Sequence, residues 1–205
     1  MIDLSQPAKI GLVLVDLQND FLHANGAYAR GGATAASIGE LPGRLKPVAD
    51  AVRSAGGFVI STHFTLVPGK GGEPLISPHL KALRPFLRKG DFAPGGWGHA
   101  LVDELQPSDF LVEKVAFSAF YMSRLEWLLR KTGIETLAFS GIVTNGGVAS
   151  TLRDAHVRDF NAILLEDGCA AFSDEVHRTN VAALRSVADV MTCADFVAAL
   201  QAARR

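Results

Sequence analysis

The stretch Ile10-Gly-Leu-Val-Leu-Val-Asp-Leu-Gln-Asn-Asp-Phe21 decides the fold class. Its first six residues form an unbroken apolar run, which is typical of a strand covered on both faces of a parallel sheet. The run ends at Asp16, so the first carboxylate falls where the predicted strand stops. In open α/β sheets ligands bind beyond the carboxyl ends of the strands. The stretch therefore predicts an α/β fold with a ligand site near Asp16.

Strands and helices alternate along the rest of the chain. A helix is predicted at about residues 39–55, where Gly56-Gly57 ends it. Such alternation predicts a three-layer α/β/α arrangement around a six-stranded parallel sheet, a Rossmann-like fold, in one domain spanning residues 1–205. The other predicted strands are 58–62, 110–113, 136–140, 162–165 and 187–191, and the other helices are 123–131, 145–158, 174–184 and 194–203.

The long segment at residues 63–98 is rich in glycine and proline and has one short helical pattern at about residues 78–87. A loop of this length in a compact domain is usually a binding loop or a lid. Arg84, Arg88 and Lys89 in this segment are candidates for binding a substrate carboxylate. The alternative is that these charges are only solvated.

The composition argues against several classes of protein. Lys and Arg number 20 and Asp and Glu number 21, so the formal net charge of -1 gives no reason to expect a nucleic-acid or membrane partner. The two cysteines, Cys169 and Cys193, have no metal-ligand spacing, and a disulfide framework is not expected. No apolar stretch approaches the length of a membrane span. We therefore expect a soluble cytoplasmic protein.

Polar residues follow the predicted strands at their carboxyl ends. Asp16 follows the first strand, His63 the second, Lys114 the third and Glu166-Asp167 the fifth. Burial raises the pKa of an aspartate and a neighbouring ammonium lowers it, so Asp16 and Lys114 suit general acid-base chemistry. A structural ion pair that closes the end of the sheet is an equal alternative.

The segment Gly141-Ile-Val-Thr-Asn-Gly-Gly147 is predicted to turn from the fourth strand into a helix. Backbone N–H groups at such a turn can bind an anion or a developing oxyanion. The Walker lysine motif and the dinucleotide fingerprint are both missing, and an ordinary tight turn is the alternative. The candidate substrate-binding residues here are Val143, Thr144, Asn145 and Gly146.

Aromatic residues from three segments are candidates for the wall of a small-molecule pocket. They are Phe21 in the first motif, Trp97 in the long segment and Phe117 after Lys114. His63 is a further candidate, although a lone histidine more often has another role. The histidines show no metal-ligand spacing, so we expect no metal and no other cofactor.

Four segments resemble the isochorismatase-like hydrolases, a superfamily that includes nicotinamidases and N-carbamoylsarcosine amidohydrolases. Val15-Asp-Leu-Gln-Asn-Asp-Phe21 resembles their opening motif, and Lys114 with Phe117-Ser-Ala-Phe120 resembles their lysine segment. Residues 141–155 resemble the nucleophile elbow and residues 166–173 the block after the fifth strand. The resemblance covers residues 8–195 and implies an isochorismatase-like fold.

The resemblance also implies site residues. In the amidase branch an aspartate, a lysine and a cysteine act together, and they fall at Asp16, Lys114 and Gly147. Glycine has no nucleophile, so thiolate attack is unavailable. True isochorismatases also have glycine there and hydrolyse a vinyl ether with the aspartate as acid. Their elbow tyrosine and histidine correspond to Val143 and Asn145, a departure from that branch.

Three further features follow from the resemblance. The non-proline cis peptide of the relatives falls by position at Val143–Thr144. The nicotinamidase metal motif, Asp-x-His after the second strand, is replaced by Ser61-Thr-His63, so no catalytic metal is expected. Relatives assemble into dimers, tetramers or larger rings, so we expect a homo-oligomer, a dimer or tetramer.

Three functional hypotheses remain open. The first is a hydrolase of a small carboxylated metabolite that uses Asp16 as general acid and Lys114 as its electrostatic partner, with vinyl ether hydrolysis as precedent. The second is a binding or regulatory protein that kept the fold without the chemistry. The third is a C–N amidohydrolase whose nucleophilic cysteine was replaced at Gly147.

Overall fold

Strand β1, Ile10–Val15, lies inside the sheet with every residue buried. The computed structural model describes residues 2–203. Within them β1 pairs in parallel with β2 on one side and with β4 on the other. The unbroken apolar run has this position because a central strand meets helices on both faces.

The sheet has six strands in the order β3-β2-β1-β4-β5-β6, and all neighbouring pairs are parallel. The chain builds β2 and β3 outward from β1 and then crosses to β4 on its other side, which makes β1 and β4 the switch point of the topology. The predicted α/β class is confirmed. The remaining strands are Phe58–Phe64 (β2), Phe110–Lys114 (β3), Thr136–Ile142 (β4), Asn161–Ala170 (β5) and Asp189–Met191 (β6).

Helices cover both faces of the sheet. One face packs against α4 and α9 and the other against α6, α7 and α8, so the described residues form three layers. Among residues 2–203, no helix has the length and hydropathy needed to cross a membrane. The helices are Asn19–Leu22 (α1), Ala27–Arg30 (α2), Ala36–Gly39 (α3), Leu41–Ala55 (α4), Pro78–Leu83 (α5), Leu125–Thr132 (α6), Ala149–Val157 (α7), Asp174–Leu184 (α8) and Cys193–Ala202 (α9).

The short helices α1, α2 and α3 were not predicted from the sequence. Each has four residues, too few to show a 3.6-residue apolar period. The longer α4 was predicted correctly to its end, because Gly56 takes the left-handed conformation (φ 83°) that closes a helix. Sequence periodicity thus located the long helices and the short α5, and it missed the three four-residue helices.

Strand β5 is longer than predicted, and this moves the end of the strand. The prediction ended it at residue 165, which put Glu166-Asp167 at the ligand-binding edge. The structure continues β5 to Ala170, with a register shift in which Leu164 pairs with Phe139 and Cys169 pairs with Gly141. Glu166 and Asp167 therefore lie in a bulge within the strand, and their expected position at its end is wrong. Phe172 follows the true end instead.

Gly141 has no room for a side chain. It pairs with Val15 across β1 and β4 at φ 107°, and a Cβ there would overlap the Val15 carbonyl oxygen. We expect Gly141→Ala to lower the free energy of unfolding by about 3 kcal/mol or more, since left-handed strain and overpacking add. Urea unfolding monitored by circular dichroism measures this loss.

Gly56→Ala is the matched control for this prediction. Gly56 also has a positive φ of 83°, but a Cβ there meets nothing within 4 Å. Its expected loss is about 1 to 2 kcal/mol, from backbone strain alone. Equal losses for the two variants would show that contact with β1 does not constrain Gly141.

Candidate active site

The carboxyl ends of β1, β3 and β4 bring Asp16, Lys114 and Gly147 together. The Lys114 Nζ atom lies 2.7 Å from Asp16 Oδ2, and both side chains are buried. A Cβ built on Gly147 would lie 3.1 Å from the same oxygen. Three residues that are far apart in the sequence therefore meet at one carboxylate.

Asp16 is placed by the backbone immediately after β1. Its N–H donates to the Thr62 carbonyl at 2.9 Å, and its φ of 57° turns the chain out of the strand. The Thr62 hydroxyl donates to Asp16 Oδ1 at 3.4 Å. These contacts aim the carboxyl group across the end of β2 toward Lys114.

Burial raises the pKa of Asp16 above its ordinary value of 3.8. The charge and hydrogen bond of Lys114 oppose this shift, as do hydrogen bonds from Thr62 and from the Phe64 backbone. The net direction is upward because the carboxyl group has lost its water. A buried carboxyl that keeps its proton above the ordinary range is suited to act as an acid.

Lys114 has three contacts that hold its ammonium group at the site. Besides Asp16, it donates to the Ala116 carbonyl at 3.1 Å, and its Nζ lies 5.6 Å from the centre of the Phe64 ring. The ring is a favourable neighbour for a desolvated cation. The ammonium is therefore fixed beside the carboxyl group and cannot swing into solvent without losing all three contacts.

The turn after β4 forms one short π-helix, Thr144–Val148, that continues into α7. The N–H groups of Gly146 and Val148 both donate to the Val143 carbonyl, at 2.9 and 3.3 Å. The non-proline cis peptide joins Ile142 to Val143, so the expected position at Val143–Thr144 is wrong by one residue. The cis bond directly follows the last residue that pairs with β5.

The elbow residues point in different directions. Thr144 is buried, and its hydroxyl shares a 2.8 Å hydrogen bond with His177 Nδ1 on α8. Asn145 is exposed and Val143 is half-buried. Gly146 lies under the exposed Phe117 ring, whose edge would be 3.2 Å from a Cβ on that glycine. Of these side chains, Phe117 and Val143 cover the turn, whereas the Thr144 hydroxyl is already occupied.

His63 lies on the opposite face of β2 from Thr62, because neighbouring side chains in a strand alternate. Its ring is 5.0 Å from that of His99, and its Nε2 shares a 3.1 Å hydrogen bond with Ser61. Burial lowers the pKa of His63 to about 4. The structure thus separates His63 from Asp16, and the imidazole is neutral at neutral pH.

The aromatic candidates lie at different distances from the ion pair. The Phe21 ring is 6.0 Å from that of Phe64, which in turn contacts Lys114. The Trp97 ring is exposed and packs edge-on against His23 at 4.9 Å. Phe21 therefore belongs to the aromatic layer behind Lys114, whereas Trp97 lies on the outside of the long segment.

Sequence reasoning missed three anchors that follow Asp16. Gln18 donates to the carbonyls of Phe64 and His99, each at 3.0 Å. Asn19 donates to the Trp97 carbonyl at 2.9 Å. Asp20 accepts from the Ala27 and Phe92 N–H groups at 3.0 and 2.7 Å. These residues tie the long segment to the site, and three consecutive polar residues after a buried strand were the available signal.

The three basic candidates of the long segment also differ. Arg84 is half-buried and contacts Tyr28 and Phe172, two aromatic residues that the sequence did not single out. Arg88 and Lys89 are exposed, and the Lys89 ammonium donates to the Gly71 carbonyl at 3.0 Å. Of these three basic residues, Arg84 alone packs against aromatic rings.

Comparisons with known proteins agree on one family. A family model described as Isochorismatase domain matches residues 11–195. Ureidoacrylate amidohydrolase RutB of Pseudomonas syringae pv. syringae is 36% identical over 173 residues, which are 79% of this chain and 71% of that protein. RutB of Acinetobacter baylyi is 33% identical over 187 residues, covering 85% of this chain and 76% of that protein.

Two solved structures show the same fold. A cysteine hydrolase from Pseudomonas syringae pv. phaseolicola superposes with a TM-score of 0.82 at 23% identity, covering 96% of this chain and 94% of that chain. N-carbamoylsarcosine amidase from Thermoplasma acidophilum superposes with a TM-score of 0.70 at 26% identity, covering 90% and 96%.

The burial of the ion pair predicts strong coupling between its partners. We expect Asp16→Asn and Lys114→Met each to lower the free energy of unfolding by about 3 to 5 kcal/mol, because each leaves a buried polar partner uncompensated. The double variant removes both charges and should lose less than the sum of the two single losses. A double-mutant cycle from urea unfolding measures the coupling, and additive losses would contradict it.

Proposed function

The chain belongs to the isochorismatase domain family, and we propose that it hydrolyses a small carboxylated metabolite with Asp16 as general acid and Lys114 as its electrostatic partner. No cysteine takes part. The observation that carries this proposal is the 2.7 Å contact of a buried carboxyl with a buried ammonium beside a glycine. That arrangement can deliver a proton and stabilise the carboxylate left behind.

In the proposed hydrolysis of a vinyl ether, Asp16 and Lys114 both act. Asp16 gives its proton to the terminal carbon of the double bond, and the positive charge forms on the carbon that carries the ether oxygen. Lys114 stabilises the Asp16 carboxylate that remains. Water adds to the cationic carbon and returns a proton to Asp16. The resulting hemiketal breaks its carbon–oxygen bond and releases an alcohol and a ketone.

Gly147 supports this mechanism through its size. A Cβ at this position would be 3.0 Å from the Ile142 carbonyl oxygen and 3.1 Å from Asp16 Oδ2, tighter than ordinary van der Waals contact. With glycine, no Cβ lies against the carboxyl group, and we propose that a reacting carbon of the substrate approaches Asp16 from this side. The residue therefore excludes attack by a thiolate and still permits proton transfer.

A second candidate is hydrolysis of a C–N bond, with the nucleophile lost at Gly147. It is favoured by the relatives named ureidoacrylate amidohydrolase, at 33 to 36% identity. A protein that binds such a ligand without turnover is the remaining alternative. A small-molecule substrate, a cytoplasmic location and a homo-oligomeric assembly also stay predictions.

Activity is expected to depend on the proton of Asp16. On a substrate found by screening carboxylated vinyl ethers and amides by mass spectrometry, Asp16→Asn should lower kcat by about 100-fold or more. Asp50→Asn, an exposed carboxylate on α4, is the control and should have no effect. Full activity of Asp16→Asn would rule out the proposed acid.

The pH profile gives a separate prediction. Because the acid must be protonated, kcat should fall as pH rises through the Asp16 pKa, which burial places above 3.8. Thr62→Val removes a hydrogen bond that lowers this pKa, so the fall should move to higher pH. Steady-state rates between pH 4 and 9 measure the shift, and an unmoved profile would exclude Asp16 as the titrating group.

Replacing Gly147 separates the two candidate reactions. Under the proposed mechanism Gly147→Ala and Gly147→Cys both place a Cβ against Asp16 and should lower turnover by about tenfold or more. Under the second candidate Gly147→Cys alone gains hydrolysis of ureidoacrylate, measured by released ammonia. Such a gain, with Gly147→Ala inactive, would favour the amidohydrolase candidate.

A further inference from the structure

The turn after β4, which carries Gly147, is held by side chains from two helices. The Thr144 hydroxyl shares a 2.8 Å hydrogen bond with Nδ1 of His177 on α8. Thr151 on α7 donates to the Gly147 carbonyl at 2.7 Å and accepts from the Ala119 N–H at 3.0 Å. Because α7 continues directly from the turn, His177 is the side chain that ties the turn to a separate helix within the described chain.

The Thr144 hydroxyl depends on this one bond. The side chain is fully buried, and among residues 2–203 its hydroxyl has no hydrogen-bond partner other than His177. A neutral imidazole can accept at Nδ1, so the Thr144 O–H donates to the ring and its hydrogen is satisfied. Loss of that acceptor leaves a buried hydroxyl unpaired, which favours movement of the turn.

Movement at the start of the turn would reach the ion pair. The N–H groups of Gly146 and Val148 share the Val143 carbonyl, at 2.9 and 3.3 Å, so the turn is a closed unit. Gly147 lies within this unit, and a Cβ on it would be 3.1 Å from Asp16 Oδ2. The backbone beside the Asp16 carboxyl group therefore depends on how this turn is anchored.

We propose that His177 is a positioning residue that, through the Thr144 hydroxyl, fixes the backbone at Gly147 against the Asp16 carboxyl group. This role rests on the function proposed above, in which Asp16 transfers a proton. His177 acts through Thr144 and the turn, and it does not itself contact Asp16. A displacement of about 1 Å at reacting groups can cost about 100-fold in rate, so a small shift of the turn lowers kcat.

The surroundings of His177 favour its neutral ring. Burial lowers the pKa of His177 below the ordinary value of 6.5, and the charges of Asp174 and Glu166 oppose this shift. His177 also lines a groove of about 660 Å³ between α4 and α8, in which basic and acidic side chains are equal in number. The charged residues of that groove are Arg44, Glu166, Asp167, Asp174, Arg178 and Arg185.

Protonation of His177 would reverse the hydrogen bond. Both ring nitrogens of a protonated imidazole carry hydrogens, so Nδ1 would donate to the Thr144 oxygen. The Thr144 hydroxyl hydrogen would then lack an acceptor in a buried position. The anchor is therefore complete above pH 6.5 and is lost as pH falls through the lowered pKa of His177. This loss lies on the acid side, opposite to the fall in kcat expected from Asp16.

The test compares two replacements of His177 in the full chain. His177→Phe keeps a ring and removes Nδ1, and it should lower kcat by about tenfold or more with a smaller change in KM. His177→Asn places an amide atom near the position of Nδ1 and should keep kcat within about threefold of the wild type. Thr144→Val should match His177→Phe, and the double variant should be no worse than either single variant.

Two further readouts separate positioning from a general loss of structure. Hydrogen exchange measured by mass spectrometry should be faster at residues 143–148 in His177→Phe and near the wild-type rate in His177→Asn. Between pH 4 and 7 the wild-type kcat should fall with decreasing pH, and His177→Asn should lack this fall because its amide does not titrate. Identical pH profiles for these two proteins overturn the proposal. His156→Asn, an exposed position on α7, is the control and should behave as the wild type.

Asp16→Asn separates this proposal from the proposed function. If Asp16→Asn keeps full activity while His177→Phe loses it and His177→Asn restores it, the acid mechanism fails and the positioning role stands. If exchange at residues 143–148 is unchanged in His177→Phe, the positioning role fails whatever Asp16 does. Thermal unfolding checks that each variant is folded. If His177→Phe is not, Thr144→Val and Thr144→Ser, which keeps the hydroxyl, provide the same comparison.

Discussion

The buried ion pair between Asp16 and Lys114 is the interaction on which the site depends. Two charges that are buried away from water are tolerated only when they pair with each other and form further hydrogen bonds. The register of the sheet provides this meeting, since Val15 pairs with Thr62 and Lys114 pairs with Phe64. Asp16 and Lys114 thus end their strands at the same edge, and the long lysine side chain spans the intervening strand.

Two glycines define the other side of the same carboxyl group. Gly141 allows β4 to approach Val15 where any Cβ would overlap its carbonyl oxygen. Gly147 has no Cβ, which would otherwise lie 3.1 Å from Asp16 Oδ2. The first glycine is required because a Cβ would overlap backbone atoms, whereas at the second a Cβ would be only tighter than ordinary contact with its neighbours. Both residues lack a side chain, but the consequences differ because their neighbours differ.

The residues around the pair have mainly positioning roles. Gln18, Asn19 and Asp20 bind backbone groups of the long segment and so hold its chain against the end of the sheet. Aromatic rings between this segment and Lys114 keep water from the ammonium group. These contacts therefore hold the long segment against the carboxyl and ammonium groups of Asp16 and Lys114.

The sequence by itself determined the fold class, the six strands, the long helices and the convergence of Asp16 with Lys114. Apolar runs and the residues that follow them are local signals, and parallel strands end at one edge of a sheet. That residues 1–205 are one domain stays a prediction. Only the tertiary structure decided that β5 continues past Glu166 and Asp167, and that the Thr144 hydroxyl is taken by His177.

The same limit applies to His63 and to the arginines. His63 ends up behind β2 because side chains alternate between faces, and its strand continues one residue beyond it. Arg84 differs from Arg88 only through partners that come from α2 and from the end of β5. The local sequence identifies the residue types that lie near the end of a strand. Which face they occupy, and which distant side chains meet them, depends on packing between segments that are far apart in the chain.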